Sequence, residues 1–315
     1  MTGPSLDNLR EAAAGLVGIA ERTPLVPLEG LVPGIDVRLK AEHLQPIGAF
    51  KIRGAWTAVR RLDPEKRQRG VVTSSSGNHG LGVAFAANRH GIPAVVVMPE
   101  SAPAIKVAGV REFGGEVVQI GKIRGPEQTV EAARLVKERG LSMIPPYDHP
   151  DVMAGQGTCG LEILEAWPEV TTILVPVGGG GLLAGICAAV RALRPDVTVV
   201  GVEPAGIPKL SAAIQAGHPE TLAAGTSLAD GLLTRSVGEL TWPVFQSTVH
   251  EVVAVTDDDI TAAMKWLAVR GVRVEPSGAV TTAALLSGRF RPRGPAVVVA
   301  SGGNVDPARY DALVS

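Results

Sequence analysis

The chain has 315 residues, of which 45% are hydrophobic and 19% charged, and its formal net charge at neutral pH is −1. This length can form one large domain or two, and a near-neutral chain without a basic run is not expected to bind nucleic acid. No apolar stretch reaches about 18 residues, and no basic segment precedes a long apolar one near the N-terminus, so we expect no membrane span, no secretory signal, and a cytoplasmic protein that binds a small molecule.

From residue 70 onward, the chain alternates between short apolar strands and helices. The pattern predicts strands at 70–74, 94–98, 116–120 and 141–144, and helices at 81–91, 103–114 and 126–140. The strands are apolar without alternation, which is typical of a parallel sheet covered on both faces. The segment "IPPYDHPD" at 144–151 is rich in proline and aspartate and is the best candidate for a linker.

A second set of strands and helices follows this candidate linker. We predict strands at 171–177, 197–204, 251–255 and 295–304, and helices at 160–167, 182–193, 208–217 and 256–270. The sequence therefore predicts an α/β protein with two wound domains.

The cysteines and histidines give no sign of a metal site or a disulfide framework. Cys159 and Cys187 do not have a metal-binding spacing, and Cys187 lies in an apolar helical run that is typical of a core. No two of the six histidines are four residues apart. We therefore expect neither a disulfide nor a cluster of metal-binding histidines.

Lys51 lies between Phe50 and Ile52 in the segment "IGAFKIRGAW" at 47–56. A lysine in such surroundings has two interpretations. One is a surface lysine at the junction of a loop and a helix. The other is a lysine with a desolvated amine that reacts with a carbonyl group.

Four consecutive glycines, Gly178, Gly179, Gly180 and Gly181, separate a predicted strand from a predicted helix. Glycines allow close backbone approach and a helix start supplies N–H groups, so this loop predicts a phosphate site. A flexible turn is the other explanation, although four glycines in a row are costly in conformational entropy. A nicotinamide-dependent oxidoreductase also stays open, with Glu203 as the ribose-binding acid, although the glycines do not match the G-x-G-x-x-G spacing.

Two further polar clusters follow predicted strands. The segment "TSSSGNHGLGVA" at 73–84 brings hydroxyl and N–H groups to a helix start, which favours an anion such as a carboxylate, whereas an ordinary helix cap needs only one serine or asparagine. Ser301 follows the apolar run of "VASGGNVD" at 299–306. Ligands of open α/β sheets collect at the carboxyl ends of strands. The three clusters and Lys51 therefore predict a phosphorylated ligand, a carboxylate ligand and a reactive amine.

The sequence resembles the serine/threonine dehydratase group of pyridoxal-phosphate enzymes, which have the tryptophan-synthase-β-type fold and include serine racemase. The matching segments run through almost the whole chain: "RTPL" (22–25), "LQPIGAFKIRGA" (44–55), "SSSGNHG" (74–80), "AGQGT" (154–158), "PVGGGGLLAGI" (176–186), "VGVEP" (200–204), "EPSGA" (275–279) and "SGGNVD" (301–306).

This resemblance implies two open α/β domains with the cofactor in the cleft between them. The large domain would comprise residues 1–69 and 150–315, and the small, substrate-binding domain residues 70–149. The resemblance also implies a homo-oligomer, either a dimer or a tetramer.

The resemblance assigns the cofactor-binding residues of pyridoxal 5′-phosphate. Lys51 would form the Schiff base, and Phe50 would pack against the cofactor ring. Asn78 would hydrogen-bond the ring hydroxyl oxygen, and Ser301 would meet the pyridine nitrogen. The glycines 178–181 would hold the phosphate.

The resemblance also assigns the substrate-binding residues and the reaction. Ser75, Ser76 and His79 would surround the substrate carboxylate, with Lys51 and Ser76 as the catalytic residues. The implied reaction is elimination of the β-hydroxyl of L-threonine, L-serine or a related β-hydroxy amino acid, which gives a 2-oxo acid and ammonia. Serine racemisation and 3-hydroxyaspartate elimination stay open as alternatives on the same fold.

The chain departs from its relatives at several positions. Relatives commonly have threonine, serine and glutamine where this chain has Ile47, Ala49 and Leu81, which indicates either a neutral change in packing or a pocket for a different β-substituent. Some relatives hold a divalent cation with the glutamate equivalent to Glu203 and an aspartate six residues later, where this chain has Lys209. The Lys209 ammonium would either pair with Glu203 or point to solvent, and in both cases we expect no metal.

Overall fold

The computed structural model describes residues 3–123 and 125–315, which fold around two β-sheets. The strands are β1 Leu25–Pro27, β2 Val37–Lys40, β3 Val71–Ser74, β4 Ala94–Met98, β5 Glu116–Gln119, β6 Ser142–Met143, β7 Thr172–Pro176, β8 Thr198–Pro204, β9 Val249–Val255 and β10 Ala296–Val299. The helices are α1 Leu6–Gly15, α2 Lys51–Arg60, α3 Pro64–Arg69, α4 Asn78–His90, α5 Ala104–Glu112, α6 Pro126–Arg139, α7 Pro150–Ala166, α8 Gly181–Leu193, α9 Lys209–Ala216, α10 Trp242–Thr248, α11 Asp257–Ala268, α12 Pro276–Leu286 and α13 Pro307–Val314. None of the helices in these two stretches has both the length and the apolar character that crossing a membrane requires.

The larger sheet has six strands in the order β1-β2-β10-β7-β8-β9. All neighbours are parallel except β1, which runs antiparallel to β2. Every residue of β7 and β10 is buried. Because β7 and β10 are parallel neighbours, the glycine loop after β7 and the Ser301 segment after β10 leave the sheet at the same edge.

The smaller sheet has four parallel strands in the order β5-β4-β3-β6. The central strand β3 leads directly into the serine loop, and α4 follows. All four strands lie between residues 71 and 143, and the strands of the larger sheet lie outside that range. The division at residues 70 and 150 stays a prediction, and it matches this grouping of strands.

Helix α7 is the main difference from the predicted elements, because it begins at Pro150 and not at residue 160. Glycines at 155 and 157 weaken the helical pattern of this stretch. A Cβ atom on Gly155 would lie 2.3 Å from the carbonyl oxygen of Arg53, and one on Gly157 would lie 2.7 Å from that of Gly185. The glycines therefore let α7 pack closely against α2 and α8.

Helix α12 and the strands β1 and β2 are also absent from the predicted elements. Helix α12 is buried along almost its whole length, from Pro276 to Leu285, so it lacks the alternation of apolar and polar faces that identifies a helix at the surface. Strand β1 has only three residues, one of them proline. The uniform burial of α12 and the short, proline-containing β1 make both elements hard to predict from the sequence.

A buried ion cluster fixes α2 against its neighbours. The guanidinium of Arg53 on α2 is 2.8 Å from Glu42 and 2.6 Å from Glu162 on α7. The ammonium of Lys40 on β2 is 2.5 Å from Glu162. The side chains of Lys40, Glu42 and Arg53 are at most 1% exposed. The cluster therefore connects a strand of the larger sheet, α2 and α7 at one point.

Glu42 is expected to make the fold sensitive to acid. Burial alone would raise the pKa of Glu42, but the charges of Arg53 and Lys40 and hydrogen bonds from Arg53 and Thr23 outweigh it and lower the pKa to about 2. The Glu42→Gln variant should lose about 3 kcal/mol of unfolding free energy at neutral pH. A lowered pKa stabilises the fold above the unfolded value near 4.5, so the gap to wild type should narrow as the pH falls from 4.5 towards 2.

The measurement is urea unfolding of both proteins between pH 7 and the lowest pH at which the wild type stays folded. Glu65→Gln is the matched control, because Glu65 is exposed on α3 and its loss should change little. Equal stability of Glu42→Gln and wild type at neutral pH would contradict the stabilising role of the cluster.

Candidate active site

Lys51 is the first residue of α2, and its side chain is half-buried. Its Nζ atom donates a hydrogen bond to the carbonyl oxygen of Pro146 at 2.6 Å and lies 5.1 Å from the centre of the Phe50 ring. The expected desolvation of the amine is therefore only partial. The lysine is not on the open surface, because a carbonyl and an aromatic ring hold its amine in place.

The segments that carry Phe50 and Ser301 run side by side. The backbone N–H of Phe50 donates to the carbonyl oxygen of Ser301 at 3.1 Å, and Ala49 and Gly302 form an antiparallel bridge. Ser301 is 3% exposed, and its hydroxyl donates to the carbonyl oxygen of Ser277 at 3.4 Å. The structure thus brings Ser301 beside Phe50, the chain neighbour of Lys51.

The serine loop ends at the start of α4. The Ser75 hydroxyl oxygen accepts hydrogen bonds from the N–H groups of Gly77 and Gly80, both at 3.3 Å. Ser76 is half-buried in the same loop. Both bonds use lone pairs of the Ser75 oxygen, so this hydroxyl holds the loop in shape and can still donate its hydrogen to a carboxylate.

His79 lies behind this loop and is 2% exposed. Its Nε2 atom is 3.0 Å from the carbonyl oxygen of Ile144, which makes Nε2 the protonated nitrogen. Burial and the nearby Lys51 ammonium lower the pKa of His79 to about 3, so its ring is neutral at physiological pH. His79 therefore connects α4 to residue 144 and adds no charge to the site.

The four glycines form a tight turn between β7 and α8. Gly180 has a positive φ of 98°, which favours glycine. A Cβ atom on Gly179 would lie 2.3 Å from the ring of Tyr147, and one on Gly180 would lie 2.3 Å from Phe245. The first N–H groups of α8 have no acceptor within the helix, so they are available to an anion. The loop fits a phosphate group. Lys51 bonds to Pro146, the chain neighbour of Tyr147, and Ser301 follows the strand beside β7, so the residues together fit pyridoxal phosphate.

The candidate linker does more than connect the two sheets. Besides the carbonyls of Ile144 and Pro146, it supplies Tyr147, whose ring covers Gly179. The Asp148 carboxylate accepts hydrogen bonds from the N–H groups of residues 239 and 240, at 3.1 Å and 2.8 Å. Residues 144–149 thus contact Lys51, His79 and the glycine loop, and the sequence prediction missed this role.

Asn78 is part of a polar network that the sequence prediction also missed. Its Nδ2 atom donates to Glu275 at 2.5 Å, and its Oδ1 atom accepts from Asn304 at 2.9 Å. Glu275 also lies 3.3 Å from the buried ammonium of Lys106. The only sequence signal was the "EPSGA" match at 275–279, because Lys106 looks like an ordinary residue of a predicted helix.

Glu203 has a structural role in α9. Its carboxylate accepts hydrogen bonds from the N–H groups of Leu210 and Ser211, at 2.8 Å and 2.9 Å, and from the Ser211 hydroxyl at 2.7 Å. The side chain is fully buried. The interpretation of Glu203 as a ribose-binding acid is therefore wrong, because the first turn of α9 occupies its oxygens.

Lys209 is also fully buried, so the interpretation that it points to solvent is wrong. Its ammonium donates to the carbonyl oxygens of Leu232 and Ile207, at 2.9 Å and 3.4 Å, and lies 3.9 Å from Glu203. Burial lowers the pKa of Lys209 to about 8, although the Glu203 charge opposes that change. An ammonium surrounded by these oxygens occupies space that a metal ion would need.

Ile47 and Leu81 both make apolar packing contacts. Ile47 and Leu81 belong to one buried apolar cluster together with Met98. A Cβ atom on Gly109 would lie 2.5 Å from the end of the Leu81 side chain, so this leucine points towards α5. Ala49 is completely buried and forms the bridge to Gly302. These contacts favour a change in packing over a change in the substrate pocket.

Comparison with known proteins identifies the family. The model of the pyridoxal-phosphate dependent enzyme family matches residues 18–302. The chain is 39% identical to an L-threonine ammonia-lyase of Thermotoga maritima, over 99% of this chain and 78% of that protein. It is 38% identical to an L-threo-3-hydroxyaspartate ammonia-lyase of a Pseudomonas species, over 98% of both chains.

The solved structures include a serine racemase from maize with 38% identity and a TM-score of 0.94, covering 98% of this chain and 96% of that one. The expected fold, two wound α/β sheets of the tryptophan-synthase-β type, is confirmed. Pyridoxal phosphate, and not a nicotinamide, is the cofactor. This chain belongs to the pyridoxal-phosphate dependent enzyme family, and it is a lyase of the ammonia-lyase type.

Proposed function

We propose that the enzyme eliminates the β-hydroxyl of L-threonine, L-serine or a related β-hydroxy amino acid and releases a 2-oxo acid and ammonia. The observation that carries this proposal is the position of Lys51, whose amine is held by Pro146 while its backbone neighbour Phe50 pairs with Ser301. The similarity to ammonia-lyases of β-hydroxy amino acids supports the same class of substrate.

The cofactor would lie between the glycine loop and Ser301. The N–H groups of residues 178–181 would hold its phosphate, Phe50 would contact its ring, and Asn78 would donate to its ring oxygen. When bound, pyridoxal phosphate supplies the conjugated system that stabilises negative charge at the substrate α-carbon. Ser301 contributes a hydroxyl and no negative charge, which favours loss of the β-hydroxyl over a long-lived carbanion.

Lys51 is the residue that moves the α-proton. A neutral amine has two N–H donors and one lone pair, so donation of one N–H to Pro146 restricts the lone pair to the two remaining positions on the nitrogen. The lone pair can then accept the α-proton as a general base. The serine loop at 75–76 would hold the substrate carboxylate with its N–H and hydroxyl groups, so that the α-carbon lies near Lys51.

Racemisation is a second candidate function, and Ser76 is the residue that favours it. Racemisation requires a proton donor besides Lys51, and the half-buried hydroxyl of Ser76 lies in the loop assigned to the substrate carboxylate. The 38% identity to a serine racemase structure fits this activity equally well. Elimination and racemisation can therefore occur in one site and must be measured separately.

The test is an assay of 2-oxo acid and ammonia over a panel of L-threonine, L-serine and 3-hydroxyaspartate, with chiral analysis of the remaining amino acid. We expect equal amounts of oxo acid and ammonia from at least one of these substrates, and no product with the Lys51→Ala variant. Inversion of serine without release of ammonia would show that the enzyme is a racemase and not an ammonia-lyase. Absence of both products from all three substrates would contradict the proposal.

We propose that catalysis does not need a divalent cation, because the Lys209 ammonium lies where Glu203 and two carbonyl oxygens would surround an ion. Activity and thermal stability should be unchanged after exhaustive EDTA treatment, with or without added magnesium. In the Lys209→Asp variant the positive charge is lost and oxygen ligands are gained, so magnesium should raise its melting temperature. A large loss of wild-type activity with EDTA that magnesium restores would contradict this account.

We propose a cytoplasmic homo-oligomer, a dimer or a tetramer, as the resemblance implies. Cys159 and Cys187 are both buried free thiols, which fits a reducing compartment. Burial raises the pKa of both thiols well above the ordinary value, so neither is a reactive cysteine.

A further inference from the structure

Lys106 connects the two halves of the structure through buried ion pairs. It lies on α5, beside the smaller sheet, and it is 1% exposed. Its ammonium is 2.9 Å from the carboxylate of Asp230 and 3.3 Å from that of Glu275. Both carboxylates belong to the part of the chain that forms the larger sheet. The ammonium is also close to the serine loop, because a Cβ atom on Gly77 would lie 3.9 Å from it.

Glu275 contacts both Lys106 and Asn78 and so links the two side chains. One carboxylate oxygen faces Lys106, and the other accepts the hydrogen bond from Asn78 Nδ2 at 2.5 Å. The other end of the Asn78 amide accepts from Asn304, which also donates to the carbonyl oxygen of Ile47 at 2.8 Å. A donor and an acceptor therefore fix both the rotamer and the orientation of the Asn78 amide. The second hydrogen on Nδ2 remains for an acceptor in the cleft.

The network also borders the Ser301 segment. The backbone N–H of Glu275 donates to the carbonyl oxygen of Gly302 at 3.1 Å. A Cβ atom on Gly302 would lie 2.4 Å from the Glu275 carboxylate and 3.0 Å from Asn78 Nδ2. Glu275 and Asn78 are thus in contact with the residue that follows Ser301. A shift of Glu275 would disturb two of the groups assigned to the cofactor ring.

The charges of this cluster depend on Lys106. Burial raises the pKa of Glu275, and the Lys106 ammonium is the main influence that opposes this change. Burial alone would lower the pKa of Lys106, but Glu275 and Asp230 outweigh it and raise the pKa. Without the ammonium, the buried Glu275 carboxylate would lie close to the partly exposed Asp230 carboxylate with no cation between them, and Glu275 would take up a proton. A protonated carboxyl group is a weaker acceptor for Asn78.

A direct role in substrate recognition is the main alternative. The Lys106 ammonium is near the serine loop, so it could bind a carboxylate on the substrate. However, it already contacts two protein carboxylates, and a third negative group would have to displace one of them. The contacts therefore favour a role inside the protein over a role as a substrate ligand.

We propose that Lys106 is a positioning residue: it keeps Glu275 as a hydrogen-bond acceptor, so that Asn78 presents an N–H to the cofactor ring. This inference rests on the proposed placement of Asn78 against the cofactor.

The test compares Lys106→Met, Lys106→Arg and the double variant Lys106→Met/Glu275→Gln with wild type. Lys106→Met should weaken pyridoxal phosphate binding to the apoprotein by at least about tenfold, shift the visible absorption band and lower kcat more than it raises KM. Lys106→Arg should recover much of this loss, because a guanidinium can pair with both carboxylates. Lys137→Met is the control, because Lys137 is exposed on α6.

The double variant separates positioning from a general loss of folding. A neutral glutamine in place of Glu275 needs no ammonium and can still accept from Asn78, so the double variant should bind pyridoxal phosphate more tightly than Lys106→Met. The melting temperature of the double-variant apoprotein should likewise be higher than that of the Lys106→Met apoprotein. A rise in KM alone, with unchanged cofactor affinity and absorption band, would overturn the inference in favour of substrate recognition. A wild-type protein without a visible band would instead contradict the cofactor site itself.

Discussion

The position of α2 is the constraint on which the active site depends. This helix begins with Lys51 and packs between α4, beside the smaller sheet, and α7, which follows the segment that joins the two sheets. Arg53 holds it there through buried ion pairs with Glu42 and Glu162. Such pairs gain little net energy over apolar packing, but loss of one partner leaves an uncompensated buried charge. The reactive lysine is therefore placed by a cluster that contains no catalytic residue.

Buried cations recur at the places where separate parts of the chain must meet. Arg53 joins α2 to α7, Lys106 joins α5 to the carboxylates of the opposite half, and Lys209 joins α9 to the turn at Leu232. In each case carbonyl or carboxylate oxygens surround a charge that is hidden from water. The hydrogen bonds from a cation to several oxygens fix the direction of its side chain, whereas apolar contacts alone allow the packed elements to slide slightly past each other. This difference matters in a site assembled from two sheets.

The sequence predicts those site residues that form a local motif, and it misses those whose role depends on contacts with residues far away in the chain. The glycines at 178–181 and the serine loop are local patterns, and both occur where a strand ends and a helix begins, as predicted. Glu275 and Lys106 are 169 residues apart, so no spacing rule connects them. The glycines of α7 weaken the local helix signal, because Gly155 packs against the carbonyl of Arg53 and Gly157 against that of Gly185.

Borohydride reduction followed by peptide mass spectrometry will show whether Lys51 binds the cofactor covalently. We expect a yellow wild-type protein in which reduction leaves a pyridoxyl group on the peptide that contains Lys51. The Lys51→Ala variant should have neither the visible band nor the label. A label on Lys106 or Lys209, or a visible band that survives in Lys51→Ala, would exclude Lys51 as the covalent attachment point.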